Sequence, residues 1–290
     1  MMGCSRPLTD ADTDHESLTV PELKELLKAQ GLPVSGKKAD LIERLASASG
    51  DEAEECKLVN VDCLDYLKKI PDNSVDLIFT DPPYNISQYS TGNMKFDWRS
   101  DINNDLAEWD KDFSPSSVKD NFLRVLKPTG NIFAFCTYNM IGFWHAVYDP
   151  IFDTFQFFVW HKTNPVPKFR KAGFLNSCEL IVCMWNKGHT WNFGKQNEMH
   201  NYFESPICMK PERLSDPKHP TQKPVKLLKH LIEIGSNEGD VILDPFMGVG
   251  STGVAAMELD RKFIGIEIEE NYYEAAKQRL QKKQMKSVQY

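Results

Sequence analysis

An apolar run from Val75 to Thr80 ends in Asp81, Pro82, Pro83 and Tyr84. Two consecutive prolines supply no backbone donor and hold φ near one value. Each also pushes the residue before it towards extended geometry. The result is a stiff loop that presents a carboxylate and a phenol at a strand end, either as a tight corner or as a holder for a ligand. A second strand end carries a different pattern. The run from Asp240 to Leu243 leads into Asp244, Pro245 and Phe246. Gly248, Gly250 and Gly253 follow at G-x-G-x-x-G spacing, and a further strand closes on Glu267. Glycines let a ligand approach the backbone, and a helix starting near Ser251 offers N–H groups to an anion. Glu267 stands where an acid accepts hydrogen bonds from two ribose hydroxyls. This is chemistry for an adenosine-bearing cofactor, and the pattern alone leaves NAD, FAD and S-adenosylmethionine open.

Three features weigh against a dinucleotide. The glycine strand comes late, with little chain after it for a second nucleotide half. The loop opens with Asp244, an acid suited to a cationic amino group. The chain also has its second strand-end loop, Asp81 to Tyr84. In an open α/β sheet, ligands bind at strand C-ends where the strand order reverses. The two loops are expected to flank that point, one holding the cofactor and the other facing it with a reactive acid.

The elements that would position these loops alternate from Lys57 onward. Strands are expected at Lys57–Val61, Val75–Thr80, Asn131–Cys136, Phe155–His161, Glu179–Asn186, Val241–Leu243 and Lys262–Glu267. Helices are expected at Cys63–Lys69, Ser116–Leu126, Ile141–Val147, Thr221–Ile234, Ser251–Leu259 and Glu270–Lys283. Apolar strands separated by helices predict an α/β fold: a Rossmann-like, mostly parallel sheet with helices on both faces.

Upstream, Thr19 is placed to cap a helix, with Pro21 in its first turn and Glu22 three residues on, as in a capping box. Leu23, Leu26 and Leu27 form its apolar stripe, and Leu41, Ile42 and Leu45 form that of a second helix. Residues 1–17 read as a flexible tail, 18–47 as this helical module, 48–56 as an acidic linker and 57–290 as the main domain. The module packs as a bare helical hairpin or binds nucleic acid. Its sequence "LTVPELKELLKAQGLPVSGKKADLIERL" resembles a SAP module. That resemblance implies binding to duplex DNA through the backbone, with Lys37, Lys38 and Arg44 as phosphate contacts.

Asp81 to Tyr84, His219 to Pro224 (HPTQKP) and Asp244 to Gly250 (DPFMGVG) occur in that order. With these motifs the chain from about Leu58 resembles the β-class S-adenosylmethionine-dependent amino (N6-adenine/N4-cytosine) methyltransferases of DNA. In that class the motif order is circularly permuted and the catalytic half precedes the cofactor half. The resemblance implies that Asp81 and the Pro82 carbonyl accept hydrogen bonds from a target amino group. Pro83 helps to hold them rigid, and Tyr84 stacks on a base flipped from the duplex. It places Asp244, Phe246, Gly248 and Gly250 around the methionine part of the cofactor, with Pro245, Ser251 and Thr252 on the same loop. Glu267 takes the ribose, Asp62 the adenine amino group with Cys63 beside it, and Lys223 the neighbourhood of the cofactor carboxylate. Asp at the head of the catalytic tetrapeptide is the family's usual adenine signature, with cytosine as the alternative.

The pattern also departs from the family. Val61 stands where glycine usually precedes Asp62, Val249 and Gly253 replace polar residues, and only Asn186 to Lys218 is left for target recognition. A basic loop, His161 to Lys171, offers Lys168, Arg170 and Lys171 to a DNA backbone. Two competing classes are a non-enzymatic DNA-binding protein that keeps the fold and a nicotinamide-dependent oxidoreductase.

The bulk properties allow this reading. With 290 residues, 41% hydrophobic and 26% charged, the chain can bury a large core. Its net charge of −7 argues against a general nucleic-acid coat protein but not against a local basic face. Seven cysteines without a C-x-x-C pair indicate reduced thiols and an intracellular setting; the SAP resemblance implies a eukaryotic or viral source, and with a eukaryotic source the nucleus. No metal and no membrane are expected as partners; duplex DNA is, and a homodimer is allowed.

Overall fold

In the computed structural model, residues 18–29, 34–42, 55–84, 113–167, 173–217 and 219–287 are described. The chain divides into two compact units between Glu54 and Glu55. In the first, helix α1 (Val20–Ala29) starts as its sequence dictates: the Thr19 N–H donates to Glu22 Oε2 at 2.7 Å. This satisfies a donor that a helix start leaves without an intrahelical partner. Residues 38–42 are helical too, with the Lys37 N–H on Asp40 Oδ2 at 2.8 Å. Leu23, Leu27 and Leu41 are fully buried against one another. That is a very small core, as its length requires.

Among the described residues, the second unit is built on eight strands. They are β1 (Cys56–Asn60), β2 (Val75–Thr80), β3 (Leu126–Cys136), β4 (Thr154–Lys162), β5 (Cys178–Trp185), β6 (Tyr202–Ser205), β7 (Val241–Asp244) and β8 (Lys262–Glu267). The helices between them are α2 (Cys63–Leu67), α3 (Pro115–Val125), α4 (Ile141–Tyr148), α5 (Val225–Gly235), α6 (Ser251–Met257) and α7 (Glu270–Ser287). The sheet order is β1-β8-β7-β2-β3-β5-β4-β6. Only β5 runs against the rest. The chain leaves β2 towards β3 on one side and β7 towards β8 on the other. The expected reversal of strand order therefore falls between β2 and β7, which pair in parallel.

Both faces of the sheet are covered, and the strand period sorts the side chains. Leu77, Phe79, Phe133 and Phe135 pack with α5, α6 and α7 through Leu231, Ala255 and Leu280. Ile78, Ile132 and Ala134 pack with α3 and α4 through Phe122 and Trp144. Phe79 stacks on Phe135 with ring centroids 5.9 Å apart and meets Phe133 edge-on.

Three expectations are corrected. Strand β6 has no counterpart among the predicted strands, because Glu204 and Ser205 make its sequence polar and it lies at the sheet edge. Strand β3 begins at Leu126, five residues early, with a register break between Val75 and Leu77 of its partner. Helix α5 starts at Val225, not Thr221, because Pro224 disfavours helical geometry at the residue before it. Among the described residues no helix is long and apolar enough to cross a membrane.

The sheet centre fixes a stability expectation. Phe79→Ala removes a fully buried ring from between two others and should cost ~3–5 kcal/mol, read as a lower urea midpoint at unchanged slope.

Candidate active site

The C-ends of β2 and β7 carry Asp81 and Asp244, and a cavity of about 320 Å³ opens between the loops that follow. Thr80 ties the two strand ends together, its hydroxyl donating to Asp244 Oδ1 at 2.8 Å. The Phe246 N–H donates to the same oxygen at 3.1 Å, and Thr252 is a further hydrogen-bond partner. No cation pairs with Asp244 among the described residues. Burial therefore dominates and pushes its carboxyl up to about 7.

Asp81, Pro82, Pro83 and Tyr84 all line this cavity. The Tyr84 hydroxyl donates to Asp81 Oδ1. Lys223 Nζ lies 2.5 Å from Asp81 Oδ2, 3.2 Å from the Tyr84 oxygen and 3.3 Å from Glu179 Oε2. Its ammonium also lies over the Phe135 ring, 4.6 Å from the centroid. The sequence reading set Lys223 beside a cofactor carboxylate; the structure sets it on two acids. The segment before Pro224 is held out of the helix: Gln222 donates to the Glu212 carbonyl and accepts from the Leu214 N–H, and Glu212 accepts from the Val225 N–H.

On the β7 side, Gly248 and Gly250 take φ of +52° and +75°, where a Cβ is strained. A Cβ on Gly248 would lie 3.0 Å from His219 Nε2. Two amides of the glycine loop are already engaged. The Gly248 N–H donates to Glu267 Oε2 at 2.8 Å, and the Gly250 N–H goes to the Met247 carbonyl. The Glu269 N–H donates to the other Glu267 oxygen at 2.8 Å. The Ile268 backbone is a further hydrogen-bond partner of this carboxylate, and Glu267 lines the cavity. Ser251 receives Arg279 at 3.2 Å, which braces the loop from α7. Pro245 and Phe246 line the cavity, Phe246 against Phe113 with centroids 5.5 Å apart.

Asp62 caps α2 by accepting from the Leu64 N–H at 2.7 Å, and it lines the cavity as well. Cys63 lies beside it, its thiol pushed up to about 12 by burial, so it stays neutral and unreactive. Four carboxylates thus line the cavity: Asp62, Asp81, Asp244 and Glu267. That set favours a ligand carrying positive charge and hydroxyls and disfavours a diphosphate.

Sequence reasoning missed Glu179 and Lys162. Lys162 Nζ lies 2.7 Å from Glu179 Oε1 and completes the ion chain. The available signal was an acid inside an apolar strand, which requires a partner when buried. His219 was quoted in a motif without a role; it is buried and its imidazole is lowered to about 4, chiefly by burial. Of the expected DNA contacts, Lys37 and Lys38 are exposed in the first unit. Arg44, Lys168, Arg170 and Lys171 lie outside the described residues.

Comparisons with known proteins agree with this geometry. The DNA methylase family matches residues 75–278, and the SAP domain family matches residues 16–48. The chain is 35% identical over 252 residues to the type II methyltransferase M2.LlaDCHI of Lactococcus lactis subsp. cremoris, covering 80% of this chain and 91% of that one. It is 34% identical to the type II methyltransferase M.HinfI of Haemophilus influenzae, over 76% of this chain and 66% of that one. The structure of the M1.HpyAVI–SAM complex aligns with a TM-score of 0.57 at 30% identity, covering 78% of this chain and all of that one.

The Thr80–Asp244 bond generates a pH-dependent expectation. Thr80→Val keeps the shape and removes the donor. Above pH 7, where Asp244 is charged, the loss should be ~1.5–3 kcal/mol, as for bonds to charged groups. It should shrink as pH falls and the carboxyl takes up its own proton. Urea unfolding of both proteins on either side of neutrality checks this.

Proposed function

The chain belongs to the DNA methylase family of N6/N4 methyltransferases and carries a SAP domain, and from that premise we propose that it transfers a methyl group from S-adenosylmethionine to the exocyclic N6 of an adenine flipped out of duplex DNA. The observation that carries this reading is the pair of acids, Asp81 and Asp244, on adjacent strand ends over one cavity. One loop is chemically suited to a cationic cofactor and the other to an amine.

The residues present fit that cofactor. Asp244 is a buried carboxylate without a cationic partner among the described residues, and Gly248 and Gly250 leave room that a Cβ would fill. Asp244 would hold the ammonium group. Glu267 would take the ribose hydroxyls, and Asp62 and Cys63 would lie at the adenine end. Pro245, Phe246, Gly248, Gly250, Ser251 and Thr252 would shape the methionine end. When bound, S-adenosylmethionine supplies a methyl group activated by a positively charged sulfur.

The chain's own part is positioning. An exocyclic amine is a poor nucleophile because its lone pair is delocalised into the ring. Asp81 and the Pro82 carbonyl accept hydrogen bonds from its two N–H groups and turn the lone pair out of the ring. Pro82 and Pro83 keep those acceptors rigid. The Tyr84 hydroxyl rests on Asp81; the incoming amine takes its place there, and the phenol ring stacks on the base. Asp at the head of the tetrapeptide supports adenine. Lys37 and Lys38, with Arg44, Lys168, Arg170 and Lys171, are the proposed phosphate contacts; each lysine or arginine lost should lower the salt dependence of binding.

The deciding experiment is incubation with labelled S-adenosylmethionine and mixed-sequence duplex, then nucleoside mass spectrometry. N6-methyladenine supports the reading. N4-methylcytosine keeps the mechanism and overturns the base. No methylated nucleoside overturns the activity. Asp81→Asn should lower transfer by at least about 10²-fold, with cofactor binding retained. Because burial raises Asp244 to about 7, a cationic ligand should displace its proton below that pH. Calorimetry in two buffers of different ionisation enthalpy should show proton release on cofactor binding, with affinity strengthening as pH rises through neutrality.

A further inference from the structure

Asp81 is not alone at the end of β2. It is the last member of an alternating chain of charges: Lys162 on β4, Glu179 on β5, Lys223 before α5, then Asp81. The side chains of Lys223 and Lys162 are 5% and 13% exposed, those of Glu179 and Asp81 19% and 20%. Lysines that deep are retained only with close acids. The chain is not symmetric about Lys223: Nζ is 2.5 Å from Asp81 but 3.3 Å from Glu179, a charge contact rather than an aligned bond.

We propose that Lys223 and Glu179 are positioning residues for methyl transfer: Lys223 holds Asp81 in place and ionised, and Glu179, backed by Lys162, sets how strongly it does so. The inference rests on the reading of Asp81 as acceptor of the target amine. A carboxylate that must accept an N–H has to be charged and aimed, and Asp81 is placed where burial opposes the charge. Its carboxyl is raised by burial, lowered by Lys223 and raised again by Glu179. Lys223 stays charged because its two acids outweigh its own burial. The other ionisable groups facing this cluster are Tyr84, whose phenol is raised well above its usual range, Asp244, and His219 on the Lys223 side. Cys136 faces Tyr84 with its thiol pushed up to about 12. Tyr84 and Cys136 stay neutral near pH 7. His219 does so as well, and only Asp244 titrates there.

The two residues push Asp81 in opposite directions, and this separates positioning from mere support. Lys223→Met should move the acid limb of the single-turnover rate up by about 1–3 pH units, the range for loss of a close opposite charge. Glu179→Gln should move the same limb down. Cofactor affinity, followed by calorimetry, should stay within about threefold of wild type in both. The variants are compared with wild type on a duplex that wild type methylates. Limbs that stay put, or that move the same way, overturn the proposal. A large loss of cofactor affinity in Lys223→Met also overturns it, by returning that lysine to the cofactor carboxylate. If Lys223→Met fails to fold by circular dichroism, Glu179→Gln decides alone: a downward shift supports the proposal and any other result sinks it. If wild type methylates no duplex, the methyltransferase reading falls first and takes this inference with it.

Discussion

Two carboxylates held out of water on neighbouring strand ends are the constraint around which the second unit is organised. Asp81 and Asp244 follow β2 and close β7, the pair at which the strand order reverses. Burying an acid is costly unless it is hydrogen-bonded or paired, and the two acids are treated differently. Asp244 receives neutral donors, Thr80, Thr252 and the Phe246 N–H. Asp81 receives an ammonium. The first arrangement leaves a charge deficit that a cationic ligand can fill. The second satisfies the charge in advance, and in the proposed reading it leaves acceptor capacity for a neutral amine. One sheet thus offers two acids with two roles, and the environment rather than the residue type sets which is which.

The rest of the fold follows from holding those ends still. The strands beneath them are packed on both faces, so a slip of β2 or β7 would swap Leu77, Ile78 and Leu243 between two differently shaped cores and lose their packing. Asp76 anchors the other end of β2, accepting Lys127 on both oxygens at 2.8 Å and the Val241 N–H at 2.9 Å. Behind the glycine loop, Gly253 allows α6 to lie against β8: a Cβ there would meet the Phe263 ring at 2.6 Å. Precision at the cavity is therefore inherited from packing well away from it.

Much of this was legible in the sequence because the informative residues are local. Strands β2 and β8 fall where their apolar runs put them, and the loops at Asp81 and Asp244 flank the reversal as the order of motifs required. The capping of α1 by Glu22 was readable at three-residue spacing. The failures share one cause, contact between residues far apart in sequence. Lys223 read as an early helix residue, and only its 142-residue reach to Asp81 shows otherwise. Glu179 looked like the start of a strand; its meaning depends on Lys162 and Lys223 arriving from two other elements. The G-x-G-x-x-G pattern likewise does not reveal that Glu267 folds back onto the Gly248 amide.

That last contact bears on how a polyanion and an acidic cavity can coexist in one reaction. A cavity lined by Asp62, Asp81, Asp244 and Glu267 repels phosphate. It admits an uncharged base on its edge, and it admits a cation, but not the backbone that carries the base. Backbone affinity must then come from elsewhere on the chain. The overall charge of −7 leaves that task to local basic groups, of which the lysines beside the SAP helix are the exposed examples. Among the described residues, the counter-ion of Asp81 is internal: the fold supplies Lys223.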